Sequence, residues 1–303
     1  MLDAHRSVRH EHRYQPFGSY ATPIPQKVSL LPMRLAVAVK DLIRAVLRRA
    51  PGLASRLREF ECNRRYRPLA PELASEVISR LSGSWADDGI PAQQREIVDR
   101  ALADYRSGNP NPAFDALVEI LLHNVPDLGA KTLLEIGCAS GYYSEVLRLR
   151  NVAASYRGCD FSPALVGLAR QTYPSLPFDV EDATRLSYAD DSYDIVVSGC
   201  CILHIPEYER AIAEAARVAR EFVVFHSTPV VHLTGPWYYT KKAYGVEMVE
   251  IHFNEQKLLR AFVRHGLHSH DINTYQLVEK KTGREFVLYK TYLCHKGKVN
   301  SGN

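Results

Sequence analysis

Two rhythms of apolar and polar positions divide the chain. Between Arg34 and Arg49, Leu35, Val39, Leu42, Ile43, Val46 and Leu47 recur at helical spacing, while Lys40, Arg44 and Arg48 fall mostly opposite them. Pro51-Gly52 stops that helix. The spacing predicts further helices over about 71–81 and 91–105. Another is expected after Ser107-Gly-Asn-Pro-Asn-Pro112, where Asn111 is a good N-cap and Pro112 a good first helical residue. Residues 1–32, with Pro16, Pro23, Pro25 and Pro32, show no sustained period and read as an extended arm.

From Lys131 onward short apolar runs alternate with helical ones. Strands are expected at 132–136, 155–159, 176–180, 193–198 and 221–226, with helices at 142–149, 163–173 and 208–219 between them. Such alternation predicts an α/β fold, a doubly wound and mostly parallel sheet with crossover helices. A helix at about 254–265 is followed by apolar runs at 272–278 and 286–294. The polar Lys280-Lys-Thr-Gly-Arg284 joins them, which reads as an antiparallel hairpin. The expected whole is a seven-stranded sheet ending in that hairpin, with an N-terminal helical extension. Its parts are an arm and helical cap over 1–110, a core domain over 111–297 and a disordered tail over 298–303.

Composition changes this picture little. The chain has 303 residues, 46% hydrophobic and 24% charged, as an ordinary globular protein has. No apolar run approaches the roughly 18 to 20 residues that would span a bilayer. No secretory core follows the N-terminal charges, so a cytoplasmic location is the expectation. The six cysteines form no C-x-x-C pair and several sit in predicted strands or at strand ends, so buried reduced thiols are expected. Charge is uneven. Residues 1–70 hold 14 Lys and Arg against 5 Asp and Glu, a surplus of nine, so with +4 overall the remainder is five net negative. A basic arm could meet an anionic membrane surface, nucleic acid or an anionic substrate, or form only a solvated helical face.

The chemistry concentrates at strand ends. Ligands of a doubly wound sheet bind outside the carboxyl ends of its strands. The first strand ends in Glu135-Ile-Gly137-Cys138-Ala139-Ser140-Gly141. Dinucleotide enzymes place G-x-G-x-x-G here, to set a pyrophosphate on a helix N-terminus. This loop instead has G-x-x-x-G, with an acid two residues before its first glycine. A carboxylate suits a ligand with an ammonium and sulfonium end. At this point the chain resembles the class I S-adenosylmethionine (SAM)-dependent methyltransferases, whose first motif is E/D-x-G-x-G-x-G or the looser E/D-x-G-x-x-x-G.

The resemblance covers about residues 110–297. It implies that Asp160, 19 residues after Gly141 and followed by Phe161, accepts the ribose hydroxyls. It places Asp182 and Ala183 against the adenine, and Gly199 and Cys200 at the end of the fourth strand beside the cofactor. Asp190 to Ser198 resembles the family's approach to that strand. The middle glycine of the motif is Ala139 here. Where metal-using relatives carry carboxylates and a His, this chain has Cys200 and Leu203, and His204 alone cannot build a Mg²⁺ site. No metal site is expected.

An alcohol or phenol acceptor needs a base, and His204 and His226 at strand ends are the candidates. Each could equally be packing. Tyr142 and the later segment with His232, Trp237, Tyr238, Tyr239, Lys241, Lys242 and Tyr244 read as a substrate wall or as a surface insertion. A small-molecule or sugar acceptor, O- before N-methylated, is the first expectation. No appended RNA-binding fold and no N-P-P-Y signature is present, so nucleic acid is the lesser one. A macromolecular acceptor and a catalytically silent SAM-binding subunit are the alternatives. The apolar faces of the N-terminal helices could be buried on the same chain, in a homodimer or on a membrane.

Overall fold

The computed structural model describes residues 66–231, 237–279 and 286–297. The helix expected at 34–49, His232, the turn at 280–284 and the tail lie outside them. Ten strands and seven α-helices occur among the described residues. The strands are β1 Arg67–Pro68, β2 Thr132–Ile136, β3 Ser155–Asp160, β4 Phe178–Val180, β5 Tyr193–Gly199, β6 Ala219–Val231, β7 Trp237–Ala243, β8 Val246–Asn254, β9 Leu267–Glu279 and β10 Phe286–Lys296. The helices are α1 Pro71–Leu81, α2 Ile90–Arg106, α3 Pro112–Asn124, α4 Tyr142–Leu149, α5 Pro163–Thr172, α6 Tyr208–Val218 and α7 Glu255–Arg264.

Helix starts follow local chemistry. Asn111 caps α3 by accepting from the N–H groups of Ala113 and Phe114, with Pro112 at the first helical position. Ser162 caps α5 from Leu165 N, and Asn254 caps α7 from Lys257 N.

The central sheet runs β4-β3-β2-β5-β6-β10-β9. Strands β2 to β6 pair in parallel, and β10 is antiparallel to both β6 and β9. Side chains alternate between two cores, as a sheet covered on both faces requires. Leu133, Ile195, Val197, Phe222 and Val224 join the helical residues Leu102, Leu117, Val146 and Val166 on one side. Leu134, Val196, Val223 and Phe225 meet Ile212, Ala215 and Phe262 on the other. Helix α2 contributes Val98, Leu102 and Tyr105 to the first core, so this part of the expected cap is bound into the body.

The sheet has three strands more than the seven expected. β6 runs on past His226 to Val231 and pairs there with β8. β7 and β8 form an antiparallel hairpin, with β1 on its outer edge. Tyr244 (φ 51°) and Gly245 (φ 82°) turn the hairpin, the two left-handed positions of a type I′ turn. The segment read as a lid or insertion is thus largely a strand pair.

Candidate functional site

A cavity of about 410 Å³ opens at the carboxyl ends of β2, β3 and β5. Its size is that of a pocket for a small organic ligand. Gly137, Ala139, Asp160, Phe161, Asp182, Ala183, Gly199 and Cys200 line it, together with Tyr142, His204 and Lys241. These come from segments far apart in the chain; the parallel strand order brings most of them together, and the antiparallel β7–β8 pair adds Lys241.

The glycine loop is shaped by the space behind it. Gly137 has φ 70°, and a Cβ there would lie 2.3 Å from the Cys201 sulfur, so no larger residue fits without displacement. Ala139 (φ 50°) and Cys200 (φ 56°) hold left-handed backbone without being glycine, the kind of strain that collects at functional sites. Asp160 ties the loop down: Oδ2 accepts from Ala139 N–H at 2.8 Å and Oδ1 from Ser162 N–H at 2.9 Å. Burial raises the Asp160 pKa, and those two N–H groups oppose the rise. Asp182 is exposed at the rim, where Oδ1 accepts from Thr184 N–H and Oγ1.

Other loop residues stand behind the wall. Cys138 and Ser140 are buried and away from the cavity lining, and a Cβ at Gly141 would press on Phe178 and Tyr173. Glu135 is also behind the wall, 1% exposed. Tyr156 donates to its Oε2, while Oε1 is buried without a partner among the described residues. Burial drives its pKa up to about 8, with the Tyr156 hydrogen bond lowering it and Asp160 raising it. A Cβ at Gly199 would sit 3.0 Å from Oε1, so the bare backbone of Gly199 leaves that oxygen its space. An unsatisfied buried carboxylate oxygen suits an ammonium donor.

The two histidines separate. His226 is 1% exposed and absent from the cavity wall. Its Nδ1 bonds Thr291 Oγ1 at 2.8 Å and its Nε2 bonds Tyr143 OH at 2.9 Å. Burial pushes its pKa down to about 3. This is a satisfied core histidine, which corrects its reading as a candidate base. His204 lines the cavity. Its Nδ1 lies 2.9 Å from the Val249 carbonyl, and because a carbonyl only accepts, Nδ1 carries the proton and Nε2 has the free lone pair. Burial and then the nearby Lys241 lower its pKa to about 4, against the opposing pull of Glu250.

The expected substrate wall is only partly there. Lys241 and Tyr244 face the cavity, but Trp237, Tyr238 and Tyr239 do not line it. Tyr239 packs edge-on to Tyr66 and against His252. Trp237 is at the surface, at the start of β7 and on the same face as Tyr239 and Lys241. Lys241 pairs with the buried Glu250, whose other oxygen meets His252 at 3.1 Å. Burial would raise the Glu250 pKa, but Lys241 and His252 carry it well below the carboxylate range.

Sequence reasoning missed Trp85 and Gln94, which reach the cavity from the turn before α2 and from α2 itself. Gln94 sits one turn after the buried Ile90, on the face that packs against Ala139. A polar residue at a core position of an apolar stripe was the available signal. Among the described residues, no group of three or more His, Cys, Asp or Glu is placed to hold a metal ion. Of the cysteines there, Cys138, Cys159 and Cys294 are buried, Cys200 and Cys201 are half-buried, and all five are free.

Comparison with known proteins finds similar chains. Residues 134–224 match a family model described as a methyltransferase domain. A phthiotriol/phenolphthiotriol dimycocerosates methyltransferase of Mycobacterium tuberculosis is 34% identical over 96 residues, 31% of this chain and 36% of that protein. A malonyl-[acyl-carrier protein] O-methyltransferase of Methylococcus capsulatus is 26% identical over 158 residues, half of this chain and 51% of its own length. The chain thus spans about a third to a half of the length of these relatives. Among solved structures, an S-adenosylmethionine-dependent methyltransferase from Clostridium acetobutylicum aligns over 66% of this chain and 97% of its own, at 13% identity and a TM-score of 0.47.

Proposed function

We propose that this chain, which carries a class I SAM-dependent methyltransferase domain, transfers a methyl group to a hydroxyl of a small or lipid-like molecule. The observation that carries the reading is one cavity wall shared by Gly137, Asp160 and Asp182 on one side and His204 on the other. SAM supplies a methyl carbon already activated on a sulfonium, so catalysis rests largely on alignment and on disposal of the acceptor's proton. The buried Glu135 Oε1, the bare backbone of Gly137 and Gly199, and the carboxylate of Asp160 fit that cofactor's ammonium, methionine and ribose parts. Phe161, 48% exposed at the cavity, offers a flat face beside Asp182 for the adenine.

His204 receives the acceptor proton at Nε2. Its Nδ1–H bond to Val249 fixes the tautomer and the ring, and burial beside Lys241 keeps it neutral. O-methylation accords with this proton acceptor, and the names of the relatives denote a triol lipid and an O-methyltransferase. No residue of the wall calls for a metal ion.

Assays with methyl-labelled SAM and hydroxylated acceptors test this reading, and EDTA should leave the rate unchanged. The base must be unprotonated, so the rate stays flat where an ordinary histidine titrates, near 6.5, and falls only as pH drops through about 4. His204→Asn, which keeps a polar group but no base, lowers turnover by about a hundredfold or more. A rate that falls through 6.5, or a variant as fast as the parent, would remove His204 from this role.

A further inference from the structure

The acceptor end of the cavity carries its own chemistry. Trp85 is its hub: its ring centre lies 4.8 Å from that of His204 and 5.7 Å from that of Tyr244, tilted by 58° and 57°. Together the three rings bound one end of the cavity with flat apolar surface. Trp85 Nε1–H is buried and has no acceptor among the described residues. A buried indole N–H without a partner costs free energy unless a ligand completes it. The imidazole of His204 stands against its ring, and the Lys241 ammonium, held in place by Glu250, lines the same cavity. Lys241 has three N–H groups, so its bond to Glu250 leaves donors over.

Two donors and one acceptor thus surround a space walled by aromatic rings. On the methyl-transfer reading, we infer that this end of the cavity takes a planar acceptor, a phenol or an enol, bearing a second oxygen next to its reacting hydroxyl. The hydroxyl gives its proton to His204 Nε2 as the oxygen–methyl bond forms, and the electron pair of the broken carbon–sulfur bond stays on sulfur. The neighbouring oxygen accepts from Trp85 Nε1–H and Lys241 Nζ, which also steady the negative charge growing on the acceptor. A cation and a neutral imidazole side by side favour an acidic hydroxyl over an aliphatic one, because the proton then moves to a weak base with little penalty. Flat rings favour a flat ligand for the same reason that aromatic pairs stack. This fixes a substrate class from residues that lie mostly outside the glycine motif and the aspartates.

The experiment uses the full chain saturated with S-adenosylhomocysteine. Binding of that product to the parent protein is measured first, and its absence would count against the cofactor reading alone. Two probes follow: 2-hydroxyacetophenone, planar with a carbonyl beside its phenol, and 4-hydroxy-2-butanone, an aliphatic hydroxyketone. The planar probe should bind at least about tenfold more tightly. Trp85→Phe keeps a ring and removes the N–H, and it should weaken the planar probe by about fivefold to tenfold. With methyl-labelled SAM in place of S-adenosylhomocysteine, labelled methyl should appear on the phenol oxygen. Equal or tighter binding of the aliphatic probe, or full affinity in Trp85→Phe, would overturn the proposal.

Discussion

Lys241→Met is expected to destabilise the protein by about 3–5 kcal/mol, a large fraction of the stability of any domain this size. The reason is what the substitution leaves behind. Glu250 is 1% exposed, on the central stretch of β8, and its charge is balanced by Lys241 across the β7–β8 pair. Methionine fills the volume of lysine but leaves the buried carboxylate with His252 and no lysine cation, so it must stay charged at a cost or take up a proton. The pH dependence follows in sign. Glu250 is held well below its unfolded pKa, so its contribution is complete above the ordinary carboxylate range and is lost as pH falls toward the folded value. Lys241 is raised by Glu250 against the effect of burial, so its share is present below the ordinary lysine pKa and is lost only at strongly alkaline pH. Urea unfolding at neutral pH measures the loss. The double variant Lys241→Met, Glu250→Leu should recover most of it, because an apolar pair of similar volume replaces a buried ion pair with little net cost. A single variant with an unchanged midpoint would mean that Glu250 is not carrying a buried charge.

Asp160→Ala is expected to weaken SAM binding by about 1–3 kcal/mol, or roughly tenfold to a hundredfold. Two effects combine. On the proposed reading the carboxylate accepts the ribose hydroxyls, and it also pins Ala139 N–H and Ser162 N–H. Removing it frees the strained loop at Ala139, which has no other anchor of that kind among the described residues. Asp160→Asn retains one acceptor oxygen and should fall between alanine and the parent. Calorimetric titration of the three proteins well below their unfolding temperatures measures this. Equal affinities would take Asp160 out of the site.

The alternation of runs after Lys131 made the parallel sheet legible, because the central strands β2, β5 and β6 are largely buried on both faces and the crossover helices are amphipathic. Asn111-Pro112 marked the start of α3 to the residue. The hairpin of β7 and β8 was harder to see. Its aromatic residues read as a ligand-facing cluster, although Trp237-Tyr-Tyr-Thr240 and Val246-Glu-Met-Val-Glu-Ile-His-Phe253 about Tyr244-Gly245 have the composition of two strands around a turn. Lys241 and Trp237 share a face of β7, but Trp237 stands at its very start, four residues from the cavity-lining Lys241. The glycine loop and Asp160 were visible because local spacing determines their place. His204 and His226 look alike in sequence, and only the packing of Tyr143 and Thr291 around His226 tells them apart. Gln94 carried a signal as a polar residue on the apolar stripe of α2, whereas Trp85, in the turn before that helix, reaches the cavity only through tertiary packing.

The most direct test of the account is a pair of calorimetric titrations of the full-length chain, one with SAM and one with NAD. The loop offers a buried carboxylate oxygen at Glu135 and bare backbone at Gly137, with no G-x-G-x-x-G cradle for a pyrophosphate. SAM should therefore bind at one site per chain, about micromolar in strength, and NAD should give no comparable heat. Tighter binding of NAD than of SAM would contradict the assignment of this cavity to methyl transfer.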